Sequence, residues 1–180
     1  MPAIGAVLAV LILGLSPSAA SDPVLTGTWR SAVEETPLSS QFDESVWGKH
    51  AKSTRVVEMA IKLAGEATLT VTRKILDARG REIRAATSIE RAEVSIGAVQ
   101  HTIDVRSDLV VTVKNAERRY PDDPAGTWPI DGLRVTVSTF SDDPSRIEVR
   151  IDTPEGPGSF WETLRRVTLN PPSPSLATRR

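Results

Sequence analysis

Apolar and polar residues alternate along most of the chain. The clearest case is the segment 146–152, read RIEVRID, in which Ile147, Val149 and Ile151 are separated by charged or polar residues. A period of two places the apolar side chains on one face of a β-strand and the polar ones on the other. Similar patterns elsewhere predict an antiparallel all-β domain in which each strand has one solvated face.

The pattern divides the chain into eight predicted strands, at residues 25–33, 54–64, 67–77, 82–96, 99–114, 133–140, 146–152 and 159–169. Arg106, Ser107 and Asp108 interrupt the fifth segment, yet its apolar residues keep odd positions on both sides. That segment is therefore one bent strand or two, and the count is eight or nine. Eight antiparallel strands can close up-and-down into a barrel. Nine would favour a β-sandwich, which we keep as the alternative.

A short helix is predicted after the first strand, in the connection 34–53. Ser40 resembles an N-cap with the acidic Asp43 three residues later. Phe42 and Val46 lie about one helical turn apart and give this segment an apolar face. The barrel prediction therefore includes a short helix beside its first strand.

Aromatic residues are concentrated in two long connections. Phe42 and Trp47 lie in the first, and Tyr120 and Trp128 lie in the connection before the sixth predicted strand. Connections of an up-and-down barrel alternate between its ends, so the first and fifth are expected to meet at one end. We predict that these four residues bind a ligand there, together with His101, which shares the apolar face of its strand. The alternative is that each loop buries its own aromatic side chains as a plug.

The N-terminal residues resemble a secretory signal. An apolar run at 4–15 is broken by Pro17 and followed by the small residues Ser18, Ala19 and Ala20. The run is shorter than the roughly 20 residues that span a bilayer. The predicted organisation is a signal peptide at 1–20, a single β domain at 22–169 and a proline-rich, disordered tail at 170–180.

Composition narrows the setting further. The chain has 180 residues, no cysteine and a formal net charge of −1. Such a charge favours neither nucleic acid nor an anionic membrane as a partner. Without cysteine there is neither a disulfide nor a lipid attachment site of the lipoprotein kind. We predict an exported monomer, periplasmic or secreted and bacterial rather than animal, with no stable membrane anchor after signal cleavage.

The first strand carries the triplet Gly27-Thr28-Trp29. In this it resembles the calycin superfamily, the lipocalins and their relatives, whose first strand carries G-x-W. The resemblance implies that the tryptophan packs at the closed end of a barrel against a basic side chain from the last strand. Arg165 and Arg166 are the candidates. Arg165 shares its strand face with inward-predicted residues of the last strand and is expected to point inward.

Signatures of catalysis and of metal binding are absent from the sequence. No nucleophile elbow, zinc-binding helix or glycine-rich phosphate loop occurs. His50 and His101 are too few for a histidine metal site, and the Asp-Pro turns at 122–124 and 142–144 explain their paired acids without calcium. We therefore predict no cofactor, no metal and no catalytic residue, and leave enzymatic activity undecided. The predicted function is lipocalin-like binding of a small apolar or amphipathic ligand. The alternatives are an envelope or protein-interaction module without a ligand, and an enzyme on a calycin-like scaffold.

Overall fold

A computed structural model of the protein describes residues 25–123, 125–154 and 159–167. Within these residues the chain forms ten strands, one α-helix and a short 3-10 helix at Arg84–Ala86. The strands and helix are β1 (Gly27–Ser31), β2 (Glu34–Pro37), α1 (Gln41–Trp47), β3 (Lys52–Ile61), β4 (Glu66–Leu76), β5 (Ser88–Ile103), β6 (Arg106–Arg119), β7 (Thr127–Pro129), β8 (Arg134–Phe140), β9 (Arg146–Asp152) and β10 (Phe160–Arg166).

Eight of these strands close into a ring. The pairing order runs β1-β10-β9-β8-β6-β5-β4-β3, and β3 pairs back onto β1, with Thr28 opposite Ala60. Each strand of the ring pairs antiparallel with its neighbours. The predicted all-β, eight-stranded up-and-down barrel is confirmed, and the sandwich alternative is wrong because the β1–β3 pairing closes the sheet.

The boundary between the fourth and fifth ring strands differs from the prediction. The sequence pattern predicts a break between residues 96 and 99, but β5 continues through it to Ile103. A two-residue turn at Asp104 and Val105 then leads into β6. Asp104 has a φ of 52°, which aspartate tolerates better than most residues. Gly97 instead lies in a β-bulge, where a Cβ would meet the Val110 side chain at 3.5 Å. The number of ring strands is still eight, because the predicted break at 97–98 is absent and a break at 104–105 takes its place.

The first ring strand continues past the barrel as β2. Arg30 lies opposite Glu58 and Glu34 lies opposite Arg55, so the pairing with β3 resumes with a shift of one residue. At the shift, the Ser31 hydroxyl accepts a hydrogen bond of 2.9 Å from the backbone nitrogen of Val57. The predicted helix follows as α1, and the Ser40 hydroxyl caps it by accepting from the Asp43 nitrogen at 3.0 Å. The helix prediction is confirmed.

The connections alternate between the two ends of the ring. Connections 62–65, 104–105 and 141–145 lie at one end, which we call the closed end. Connections 32–51, 77–87 and 120–133 lie at the other, which we call the open end. The first and fifth connections therefore share an end.

Trp29 fills the closed end. Its side chain is fully buried, and its indole nitrogen donates a 2.8 Å hydrogen bond to the carbonyl oxygen of Leu25. The guanidinium of Arg166 lies 4.7 Å from the indole centroid, within cation–π range. Thus the basic partner of Trp29 is Arg166, which stands at the end of the last ring strand.

The inward orientation expected for Arg165 is wrong. Arg165 lies on the outer wall, where it donates a 2.5 Å hydrogen bond to Asp143, and Trp161 on the same face is 47% exposed. The inner face of β10 carries Phe160, Glu162 and the fully buried Leu164. Strand parity correctly grouped Arg165 with Trp161, but ring closure decides which group faces inward.

The predicted signal peptide at 1–20 and tail at 170–180 lie outside the described residues and stay predictions. Across the part of the chain that the structure does describe, no helix has the length and apolar character needed to cross a membrane.

Candidate functional site

The open end holds the aromatic residues predicted from the sequence, but it does not gather all of them. Tyr120 and Trp128 line one cavity, with Tyr120 half-buried and Trp128 54% exposed. Phe42 and Trp47 lie on α1 in the first connection, where Phe42 is 72% exposed and Trp47 is half-buried. They share the end of the barrel but are not among the lining residues of that cavity.

His101 lies far from this group. It is exposed near the end of β5, opposite Asp108, so the expected inward orientation is wrong. The reason is local. β4 pairs with β5 only as far as Ser95, and the residues beyond it have β6 as their strand neighbour on one side alone. Without a second neighbouring strand, the apolar face that carries His101 is not covered.

The cavity at the open end has a volume of about 400 Å³ and is lined by Arg118, Tyr120, Trp128, Pro129 and Ile130. Strand β7 forms one side of it, because Trp128 pairs directly opposite Arg118 of β6. Ile130 packs against the hydrophobic core. The volume lies within the range of about 300–1,000 Å³ typical of small-molecule sites.

The barrel interior below this cavity is packed. A void between Leu69, Val71, Ala92 and their neighbours has a volume of only about 10 Å³, no more than the space of one water molecule. A ligand of drug size therefore has room at the mouth of the barrel but not between these core residues.

Six charged side chains project into the open end from the inner faces of the strands and from β2: Glu34, Arg55, Arg73, Glu90, Arg118 and Glu162. Strand alternation by itself does not predict this cluster, because it places charged residues on the solvated face. A signal was present, since Arg73 is in phase with the buried Leu69 and Val71, and Glu90 with Ala92 and Val94. Charged residues at core positions of a strand are rarely left inside without a partner.

Arg55 engages two of the three carboxylates. Its Nε donates a 2.8 Å hydrogen bond to Glu162 Oε1, and its Nη2 contacts Glu34 Oε2. Burial raises the pKa of the Glu162 carboxyl above its ordinary value, and the nearby Arg55 guanidinium opposes that rise. These two carboxylates are therefore committed to one arginine.

Glu90 is committed to Arg118. It is 7% exposed, and its Oε1 accepts a 3.0 Å hydrogen bond from Arg118 Nε while lying 2.9 Å from Nη2. The same oxygen lies 3.9 Å from Arg73 Nε, which is too far for a hydrogen bond. Glu90 therefore lies between Arg73 and Arg118, and Arg118 is one of the residues that line the cavity.

Arg73 is left with the weakest partners. Within the described residues its guanidinium makes no hydrogen bond to another side chain or to the backbone, and it lies 5.1 Å from the ring centroid of Phe160. Arg55 lies over the same ring at 4.1 Å. Burial lowers the pKa of Arg73, and Glu90 opposes this, while Arg55 and Arg118 add to it. The site thus holds a half-buried cation whose nearest carboxylate oxygen, that of Glu90, lies beyond hydrogen-bonding distance.

A second depression lies on the outer wall of the barrel. It has a volume of about 300 Å³ and is lined by Arg106, Glu148, Trp161, Glu162 and Thr163. The guanidinium groups of Arg106 and Arg150 lie 5.1 and 5.2 Å from the Trp161 ring. In the described ranges 25–123, 125–154 and 159–167, no group of three histidine or acidic residues is arranged to hold a metal ion.

Comparison with solved structures finds a match to EF1p2_mFAP2b bound to DFHBI. The two chains share 12% sequence identity with a TM-score of 0.32, and the match covers 83% of this chain and 98% of that one. So low a score carries no argument about this protein. No family model matches the sequence, and no curated protein matches it.

Proposed function

We propose that this protein binds a small amphipathic molecule at the open end of its barrel. The observation that carries the proposal is the cavity of about 400 Å³ formed by Arg118, Tyr120, Trp128, Pro129 and Ile130. Its wall combines aromatic and aliphatic surface with one charged group, which is the usual make-up of a ligand pocket. In this proposal the ligand binds at the mouth of the barrel, whereas the lipocalin resemblance would place it in a hollow interior.

Fluorescence of phenylnaphthylamine, a neutral probe that brightens in apolar surroundings, tests this proposal. We expect saturable binding to the purified protein and at least about fivefold weaker binding to Trp128→Ala, because stacking on a large aromatic ring contributes about 0.5–1.5 kcal/mol beyond area burial. Trp161→Ala is the matched control, since Trp161 is similarly exposed but lies on the outer wall. Absence of binding, or equal losses in both variants, would refute the proposal.

The second candidate is a protein-interaction module without a ligand. It is favoured by one observation, the packed interior around Leu69 and Val71. This alternative predicts that the neutral probe fails to bind with saturation. Enzymatic activity is not part of the proposal.

Export to the periplasm or the exterior is part of the proposal and rests on the apolar run at 4–15 and the small residues at 18–20. Intact mass of the exported protein should correspond to a chain that begins near Ser21 or Asp22. A protein that retains Met1 outside the cytoplasm would contradict cleavage.

A further inference from the structure

The charges at the open end do not pair one to one. Glu34 and Glu162 both contact Arg55. Glu90 makes its hydrogen bond to Arg118. Among the described residues, Arg73 is therefore the arginine of this cluster that has no hydrogen-bonded carboxylate, and its nearest acidic oxygen is 3.9 Å away. An arginine in such a position has five donors in a planar fork suited to an incoming oxyanion.

Arg73 and the cavity are connected through one atom. Glu90 Oε1 lies 3.9 Å from Arg73 Nε and 2.9 Å from Arg118 Nη2, and Arg118 lines the cavity beside Tyr120 and Trp128. Arg73 is not among the residues that line the cavity, but it lies next to them, on the other side of Glu90. A molecule with an acidic group at one end and an apolar body could contact both.

The partial burial of Arg73 makes its positive charge less favourable than it would be in water. Its side chain is 24% exposed, Glu90 and Glu34 attract it, and Arg55 and Arg118 repel it. Its stacking on Phe160 at 5.1 Å leaves the guanidinium edge as its hydrogen-bonding surface. An added anion would therefore relieve repulsion as well as form new hydrogen bonds.

From this geometry we infer that the ligand is an acidic amphiphile, with a carboxylate-like oxyanion bound by Arg73 and an apolar body placed against Tyr120, Trp128 and Ile130. The inference rests on the proposed function, because it assigns a chemical class to the ligand of that same cavity. It also assigns Arg73 the role of determining specificity for charge.

A matched pair of fluorescent probes tests the inference. Anilinonaphthalene sulfonate and phenylnaphthylamine share a ring system and differ in the sulfonate, which stands in for the acidic group. We expect Arg73→Met to weaken the sulfonate at least about tenfold, as loss of charge-assisted hydrogen bonds would, and to change the neutral probe by less than about twofold. Arg150→Met on the outer wall is the control and should change neither.

Two further measurements keep the outcome decisive if Arg73→Met folds poorly. Arg73→Lys retains the charge but loses the fork, so it should recover part of the sulfonate affinity. In the unmodified protein, added salt should weaken the sulfonate and spare the neutral probe. The inference would be overturned if Arg73→Met weakened the binding of both probes equally, or of neither. It would also be overturned if sulfonate binding to the unmodified protein did not depend on salt. Each of these results would leave the proposed function intact. Failure of the neutral probe to bind the unmodified protein would overturn the proposed function itself.

Discussion

The two ends of this barrel are stabilised by different means. At the closed end, Trp29 is fully buried and the indole nitrogen is satisfied by Leu25. At the open end, the interior positions carry arginines and glutamates, and the aromatic residue Trp128 is 54% exposed. The hydrophobic effect is non-directional, whereas a buried charge depends on the direction and distance of each of its contacts. The closed end is therefore suited to holding the ring together and the open end to recognition.

The largest expected effect is at Trp29. Trp29→Ala should lower the free energy of unfolding by about 3–5 kcal/mol, because a large aromatic deletion leaves a cavity that the surrounding strands cannot fill. Trp128→Ala, at the open end, should cost less than about 1 kcal/mol because that side chain is already half-solvated. Urea unfolding of the two variants measures the contrast. Equal losses would show that the two ends do not differ in this way.

A smaller effect is expected when the charge pairing of the open end is broken. Glu90→Gln removes the negative charge that accepts from Arg118 and lies 3.9 Å from Arg73, so it should cost about 1.5–3 kcal/mol. Glu93→Gln on the same strand is the control. Glu93 is exposed and lies 3.9 Å from Arg91, so its change should stay within about 0.5 kcal/mol. If Glu90→Gln left the free energy of unfolding unchanged, the charge of Glu90 would not stabilise this end of the barrel.

The smallest effect concerns pH. Burial raises the pKa of Glu162 in the folded state, so just above the ordinary glutamate pKa the folded protein holds more protons there than the unfolded chain. The contribution of Glu162 to stability therefore decreases as pH rises through the window between its ordinary and its raised pKa. Glu162→Gln should remove this decrease, and the variant should gain stability relative to the unmodified protein as pH rises.

Asp108 on the outer wall should behave in the opposite way. The Ser138 hydroxyl and Arg106 donate to its carboxylate and lower its pKa. Its contribution to stability is present above the ordinary aspartate pKa and is lost as pH falls through the lowered value. Asp108→Asn should therefore lose stability relative to the unmodified protein as pH rises. Denaturant unfolding at several pH values measures both variants, and slopes of the same sign would contradict the assignment.

The sequence by itself determined the class of the fold. Period-two alternation predicted antiparallel strands because it depends on local pattern alone. The predicted count of eight or nine allowed ring closure, and the β1–β3 pairing decided it. The Ser40 cap likewise predicted α1, since a cap and an apolar face are encoded within a few residues. Connectivity also predicts that the two aromatic connections share an end, provided that the strands number eight and not nine.

The tertiary structure alone decided which face of each strand is inside. Alternation groups residues that share a face, but the neighbouring strands determine which group they cover, and so Arg166 rather than Arg165 meets Trp29. For the same reason His101 is exposed, because β4 ends before it and covers nothing there. The charged cluster around Arg73 belongs to this category too. Its side chains become partners only when strands distant in sequence bring them together, and closure of the barrel is what partly shields them from water.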